Sequence, residues 1–282
     1  MFKLLCVLAH PDDESLALGG TIAKYSSLGV ETSLIVATRG ERGWRGHASQ
    51  HPGEQMLGQI REQEVRQASQ ALGIAHLLFL DYMDGDLDQA NEFEATAQIT
   101  RLIRQLRPDI VLTFGPDGLY GHPDHIAISQ FTTSAIVCAA DIGYAPAFGL
   151  EPHRVSKLYY RTATRDWLET YMPIFGELIM QIDGQERRAQ SWTNWAITTR
   201  LDTSSSWLAV WQAVCCHRTQ IPAEQVLRQL SEEDHYKLWG TQEYYRAYSL
   251  VNGGRREESD IFEGLLMPGL WNAQLPLLAS VH

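Results

Sequence analysis

The stretch LLCVLAHPDDESLALGG, Leu4 to Gly20, decides the fold. Six apolar residues without alternation, Leu4 to Ala9, describe a strand of a parallel sheet covered on both faces, since neither side of it is written for water. The run ends at His10 and Pro11. It then passes through three successive acids, Asp12, Asp13 and Glu14, into a helical pattern over Leu16 to Leu28 that Gly29 closes. A buried strand turning at once into a helix is half of a βαβ unit, and three carboxylates at the turn need a reason of their own.

Outward from this stretch the pattern repeats. Thr32 to Ala37, His76 to Leu80 and Asp109 to Phe114 are further apolar runs. Between them lie helical patterns over Met56 to Leu72, with Ile60, Val65, Ala68 and Leu72 on one stripe and Gly73 after them, and over Phe93 to Leu106, stopped by Pro108. The order β-α-β-α-β-α-β predicts an α/β, Rossmann-like three-layer fold with a mostly parallel sheet and right-handed crossovers, whose ligands bind outside the carboxyl ends of the strands. After about Val155 the regularity gives way to Trp- and Tyr-rich segments, with helices expected over Ser206 to Cys216 and Ala223 to Leu230. This reads as one domain over residues 1–266. Within it, residues 1–154 form the core that carries the site, and residues 155–266 form an appended lobe shaping the substrate pocket. The tail, 267–282, has no readable role.

The composition bounds the function. With 282 residues, 44% of them hydrophobic, the chain can bury a full core. Lys and Arg number 23 against 34 Asp and Glu, and the formal charge of -11 argues against nucleic acid or an anionic membrane surface as partner. No run is long enough to span a bilayer and the first residues lack a basic signal-like region, so the expected location is the cytoplasm. Cys6, Cys138, Cys215 and Cys216 show no C-x-x-C spacing, which makes reduced thiols the default.

Two constellations carry chemistry. Asp12 to Ser15 could simply cap the following helix, because acids favour its first turn. Crowded carboxylates also repel and lose hydration, and a metal ion is the simplest compensation. The first stretch alone leaves both readings open. The second, DGLYGHPDHIA from Asp117 to Ala127, follows the fourth expected strand, enters a helix through Pro123 and places His122 and His125 three residues apart with Asp124 between them. Two His-Pro-Asp clusters at strand ends of one sheet point to a metal. Two imidazoles and a carboxylate with open positions suit catalytic zinc, and the same triad also serves iron(II). His10, Asp13 and His125 can be ligands, leaving Asp12, His122 and Asp124 for proton transfer, a surplus that points to hydrolysis.

AHPDDE at Ala9 to Glu14 together with GHPDH at Gly121 to His125 closely resembles the LmbE-like (PIG-L) family of zinc-dependent N-deacetylases. The resemblance extends through TRGERGW at Thr38 to Trp44, REQE at Arg61 to Glu64, HRTQ at His217 to Gln220 and EESDIFEGL at Glu257 to Leu265. It implies zinc on His10, Asp13 and His125, with Asp12 as general base. It further implies that His122 acts as a donor oriented by Asp124, which would raise its pKa towards neutrality, that Tyr120 helps polarise the carbonyl, and that Arg61 contacts substrate. The implied substrate is an N-acetylated amino sugar or related glycoconjugate, and relatives of this kind often assemble as homo-oligomers. A lysine common upstream of the HRTQ-type motif is replaced here by an apolar residue near Trp207, so the distal contacts of the substrate are not fixed by the resemblance. Arg39 is a further substrate-binding candidate, although its Gly-rich loop is equally well a turn. His47, His51 and His217 read as loop or helix-end histidines. Iron(II) oxygenase chemistry and metal binding without catalysis are the competing readings.

Overall fold

The parallel strands expected from the apolar runs form the heart of the computed structural model, which describes residues 1–144, 149–221, 229–252 and 256–265. They are β1 (Lys3–Leu8), β2 (Glu31–Thr38), β3 (His76–Tyr82), β4 (Ile110–Phe114) and β5 (Lys157–Arg161). Leu5 to Ala9 and Leu34 to Ala37 have no exposed surface, which is why these segments carry no polar alternation. A two-stranded hairpin, β6 (Ile179–Ile182) with β7 (Gln185–Arg188), stands apart from the main sheet. Two later strands, β8 (Thr199–Asp202) and β9 (Thr241–Ser249), extend it in antiparallel sense. The full order is β3-β2-β1-β4-β5-β9-β8. The second half is thus joined to the first through the sheet itself.

β1 pairs with β2 on one side and β4 on the other. The chain order reverses between β1 and β4, so the crevice at their carboxyl ends is a topological switch point. Both His-Pro-Asp constellations end there.

Six helices belong to the first half: α1 (Asp13–Leu16), α2 (Gly19–Ser27), α3 (Glu54–Leu72), α4 (Glu92–Leu106), α5 (Gly118–Gly121) and α6 (Pro123–Ala140). The single helix expected over Leu16 to Leu28 is broken into α1 and α2. The carbonyl of Ala17 accepts instead from Arg161 and Gln242, at 2.9 and 3.1 Å, and Gly20 packs where a Cβ would meet the Thr203 hydroxyl at 2.7 Å. The second half adds α7 (Arg165–Phe175), α8 (Trp207–Val214) and α9 (Glu232–Trp239). α8 accounts for the helix expected over Ser206 to Cys216. Most of the helix expected over Ala223 to Leu230, and the tail 267–282, lie outside the described residues. Among the described residues no helix is long and apolar enough to cross a membrane.

The join between the halves is a buried polar cluster. Glu258, 1% exposed, accepts from Lys157 Nζ at 2.7 Å, Tyr159 OH at 2.7 Å and Asn252 Nδ2 at 2.6 Å, and Arg246 Nη1 lies 2.7 Å away. Burial opposes charge on both members of the central pair: it pulls the Lys157 ammonium below its ordinary value, whereas the donors around Glu258 outweigh it and hold that carboxyl down. Removing one member of a buried pair strands the other, so Glu258→Gln should cost about 3–5 kcal/mol in urea unfolding. Because the folded carboxyl titrates below its unfolded value of about 4.3, the stabilisation is complete above that pH and fades as pH falls through the folded value. Equal stability of Glu258→Gln and the parent at neutral pH would refute this.

Candidate metal centre

Strand β1 delivers His10 and the acids after it, and β4 delivers His122, Asp124 and His125 at the start of α6. The His122 side chain caps that helix, its Nδ1 accepting from the backbone N–H of Asp124 at 3.2 Å. This contact leaves the proton of a neutral imidazole on Nε2. Phe114, the last residue of β4, stacks on the His125 ring at 3.9 Å and fixes its plane.

The three imidazoles converge. His10 Nδ1 faces His125 Nε2 at 3.2 Å, and Asp13 reaches both, one oxygen 3.5 Å from His125 Nε2 and the other 3.7 Å from His10 Nδ1. Tetrahedral zinc with N and O ligands sets its donors about 3.3–3.6 Å apart, so this spacing fits. Behind His10, its Nε2 lies 3.0 Å from Asp124 Oδ2 and 3.1 Å from Asp84 Oδ1. Carboxylates that take the Nε2 proton turn the Nδ1 lone pair towards His125 and Asp13, the usual backing of a metal-ligating histidine. Two overlapping donor groups are compact enough for an ion, His10 with His122 and His125, and His10 with Asp84 and Asp124. We favour the face made by His10 Nδ1, His125 and Asp13, since Asp124 also accepts from the backbone N–H groups of Gly85 and Leu87, at 2.8 and 3.2 Å, and is spent as support.

The charges agree with a cation at this face. Burial pulls His10 down, yet hydrogen bonds to Asp124 and Asp84 and the charge of Asp13 raise it to about 10. The same acids would favour a metal ion in place of that proton. Burial raises Asp13 to about 7 against the pull of His10, and holds His125 well below its ordinary value, keeping its lone pair free.

Asp12 lines the same cavity of about 180 Å³ as His10, Asp13, Tyr120, His122 and His125. Its backbone is left-handed, with φ 107°, an uncommon conformation for a non-glycine residue. Two braces hold it. Glu14 Oε2 accepts the Asp12 N–H at 3.0 Å, while Glu14 Oε1 lies 2.7 Å from His217 Nε2 in a pocket where both side chains are fully buried. Arg61, 3% exposed, donates to the carbonyls of Gly40 and Pro11 at 2.9 and 2.5 Å and to Asp12 Oδ2 at 3.2 Å. A Cβ at Gly40 or Gly43 would overlap that guanidinium, which explains the glycines of this loop.

Several expectations are corrected here. Arg61 lines the cavity, but its guanidinium is engaged in bracing the loops around Asp12. Arg39 is not brought to the cavity; it pairs with Glu62 and Asp81 and lies over the Phe79 ring. The Asp124 carboxylate holds His10 and two backbone amides, and its contact with His122 runs through its own N–H. Nor is His122 raised: burial first, then the charge on His10, push it down to about 4. His217, read as a helix-end histidine, is the partner of Glu14. Trp207, where the lysine departure falls, stacks on His235 with ring centroids 5.1 Å apart and is not part of the cavity wall.

Asp84 went unread because DGDLD looks like turn chemistry; its place just beyond the carboxyl end of β3 was the available signal. Trp167, Tyr171 and Leu178 form an apolar wall of the cavity, and Gln220 closes it by donating to the carbonyl of Gly43 at 2.5 Å.

A doubly wound sheet with a His/Asp donor set at its switch point, and a spare acid in the same cavity, defines a class of α/β metal-site proteins. A family model described as PIG-L, GlcNAc-PI de-N-acetylase, matches residues 5–136. A 1D-myo-inositol 2-acetamido-2-deoxy-alpha-D-glucopyranoside deacetylase of Streptomyces scabiei is 32% identical over 297 residues, covering 95% of this chain and 90% of that protein. The chain belongs to the PIG-L family. Among solved structures, an N,N'-diacetylchitobiose deacetylase from Pyrococcus horikoshii has the same fold, with a TM-score of 0.64 at 21% identity over 86% of this chain and 83% of that one. So does a 4-carboxy-2-hydroxymuconate hydratase from Pseudomonas putida, with a TM-score of 0.65 at 18% identity over 90% and 99%. The fold alone therefore does not select the reaction.

Proposed function

We propose that this protein is a zinc-dependent amide hydrolase that removes the acetyl group from an N-acetylated amino sugar of the GlcNAc type or a related conjugate. The observation that carries the reading is Asp12, an acid outside the donor set, held in a strained backbone beside His10, Asp13 and His125. The name of the Streptomyces relative points to the same bond. Zinc held by His10, Asp13 and His125 would lower the pKa of a water molecule and polarise the amide carbonyl.

The residues of this chain do the rest. Arg61 engages Asp12 Oδ2, which leaves the other oxygen to take the proton of the attacking water. Asp12 then passes that proton to the departing amine nitrogen as the C–N bond breaks, so acetate and a free amine result. Neutral His122 presents its Nε2–H to the developing oxyanion. Tyr120, packed edge-on against the His122 and His125 rings, offers its hydroxyl, whose proton burial holds firmly.

Acetate release from a panel of N-acetylated amino sugars tests the reading. Activity should fall to background on removing metal with a chelator and return on adding zinc. Return only with iron, accompanied by oxygen uptake, would replace hydrolysis by oxygenase chemistry.

A further inference from the structure

The cavity has one cation whose charge nothing nearby uses. Arg45 lines it from a loop flanked by Gly43 and Gly46, and makes no hydrogen bond or ion pair with any other described residue. Its neighbours differ. Arg39 pairs with Glu62 and Asp81, Arg42 with Asp86 and Glu54, and Arg61 with Asp12. In a chain with 34 acids against 23 bases, an arginine left without a carboxylate at a cavity wall is the exception. The nearby acids are committed: Asp12 to Arg61, and Asp13 to His10 and His125. The Arg45 charge acts on the hydroxyls of both Tyr120 and Tyr171, which places it over the space between the donor set and the apolar wall.

We propose that Arg45 recognises an anionic group, a carboxylate or a phosphate, on the part of the substrate attached to the N-acetyl amino sugar. This rests on the amide-hydrolase reading and narrows its substrate class. With the acetamide beside Asp12, the sugar packs on Trp167, Tyr171 and Leu178, and the group beyond it meets the guanidinium fork, whose paired donors match both kinds of oxyanion.

The test uses the full chain loaded with zinc and four glycosides of N-acetylglucosamine. One carries a carboxylate, the second is its methyl ester, the third carries a phosphate monoester and the fourth a neutral hydroxyl. The parent should show kcat/KM about 10-fold or more higher for the charged member of each pair, mainly through KM, since a charge-assisted hydrogen bond is worth that much. That ratio should shrink with added salt. Arg45→Ala should bring it close to one, Arg45→Glu should invert it, and Arg45→Lys should retain most of it. The carboxylate and phosphate arms separate the two kinds of anion. A parent that hydrolyses charged and neutral members equally, or an unchanged ratio in Arg45→Ala, overturns the proposal while leaving the hydrolase reading intact. If no glycoside is cleaved, calorimetric binding of the same four compounds to the zinc-loaded protein decides: tighter binding of the charged members, lost in Arg45→Ala, upholds the proposal, and equal binding overturns it.

Discussion

Asp12→Asn should retain its full complement of metal and lose acetate release by about 10²- to 10⁴-fold, the range expected for a general acid-base group. The substitution separates chemistry from geometry unusually well. Asn accepts the left-handed region at least as readily as Asp, so the backbone at φ 107° need not relax. The N–H to Glu14 is unchanged, and the amide oxygen of Asn can still accept from Arg61. What disappears is a site able to take a proton at neutral pH. Saturating kinetics together with elemental analysis of the purified variant check both halves of the statement. Turnover within a factor of ten of the parent would move the base elsewhere, and loss of metal would place Asp12 among the ligands.

The second large effect separates Asp13 from His122, which compete for the third place beside His10 and His125. Asp13→Asn should weaken zinc binding by more than about 100-fold, beyond what loss of a supporting residue costs. The anionic oxygens 3.5 and 3.7 Å from the two imidazole nitrogens are then gone while the side-chain shape is kept. His122→Gln should hold zinc within about tenfold of the parent and still lose turnover, because its Nε2–H serves the oxyanion. Competition with a chromophoric chelator measures both. The opposite order, with His122→Gln losing the metal and Asp13→Asn keeping it, would assign the site to the three histidines.

The core of the fold was legible because parallel strands buried on both faces read as unbroken apolar runs, and because the acids at their ends fall at the switch point. The antiparallel extension was not. β9 turns Gln242, Tyr244 and Arg246 inward and buries them in a polar network, so the usual alternation of apolar and polar residues is overwritten. The break between α1 and α2 was hidden for a similar reason, since the carbonyl freed at Ala17 is satisfied by side chains from the far half. At the site, residue types were readable but their bonding was not. His, Asp and Arg at matching strand ends announce a charged centre. Which acid backs which histidine depends on ring orientation, and that is fixed by caps and stacking such as Asp124 N–H on His122 and Phe114 on His125. Arg61 could not be told apart as brace or substrate contact, because the carbonyls it saturates belong to loops with no spacing pattern.

The brace on Asp12 also has a consequence in time. His217 lies 203 residues after Glu14 in the chain, and the neighbouring Thr219 and Gln220 tie the same segment to Glu64 and Gly43. A ribosome adding roughly 5–20 residues each second needs on the order of 10–40 s to cover that interval. Throughout it, the loop bearing the three acids is made but lacks the partner that neutralises Glu14 and secures the strained residue two places before it. The nascent chain thus exposes a cluster of uncompensated carboxylates beside half-formed metal donors, and the centre locks only when the last third of the protein arrives. Assembly of the catalytic apparatus is in this way tied to completion of the polypeptide, so a product truncated before His217 would carry every donor of the metal set without the geometry to use it.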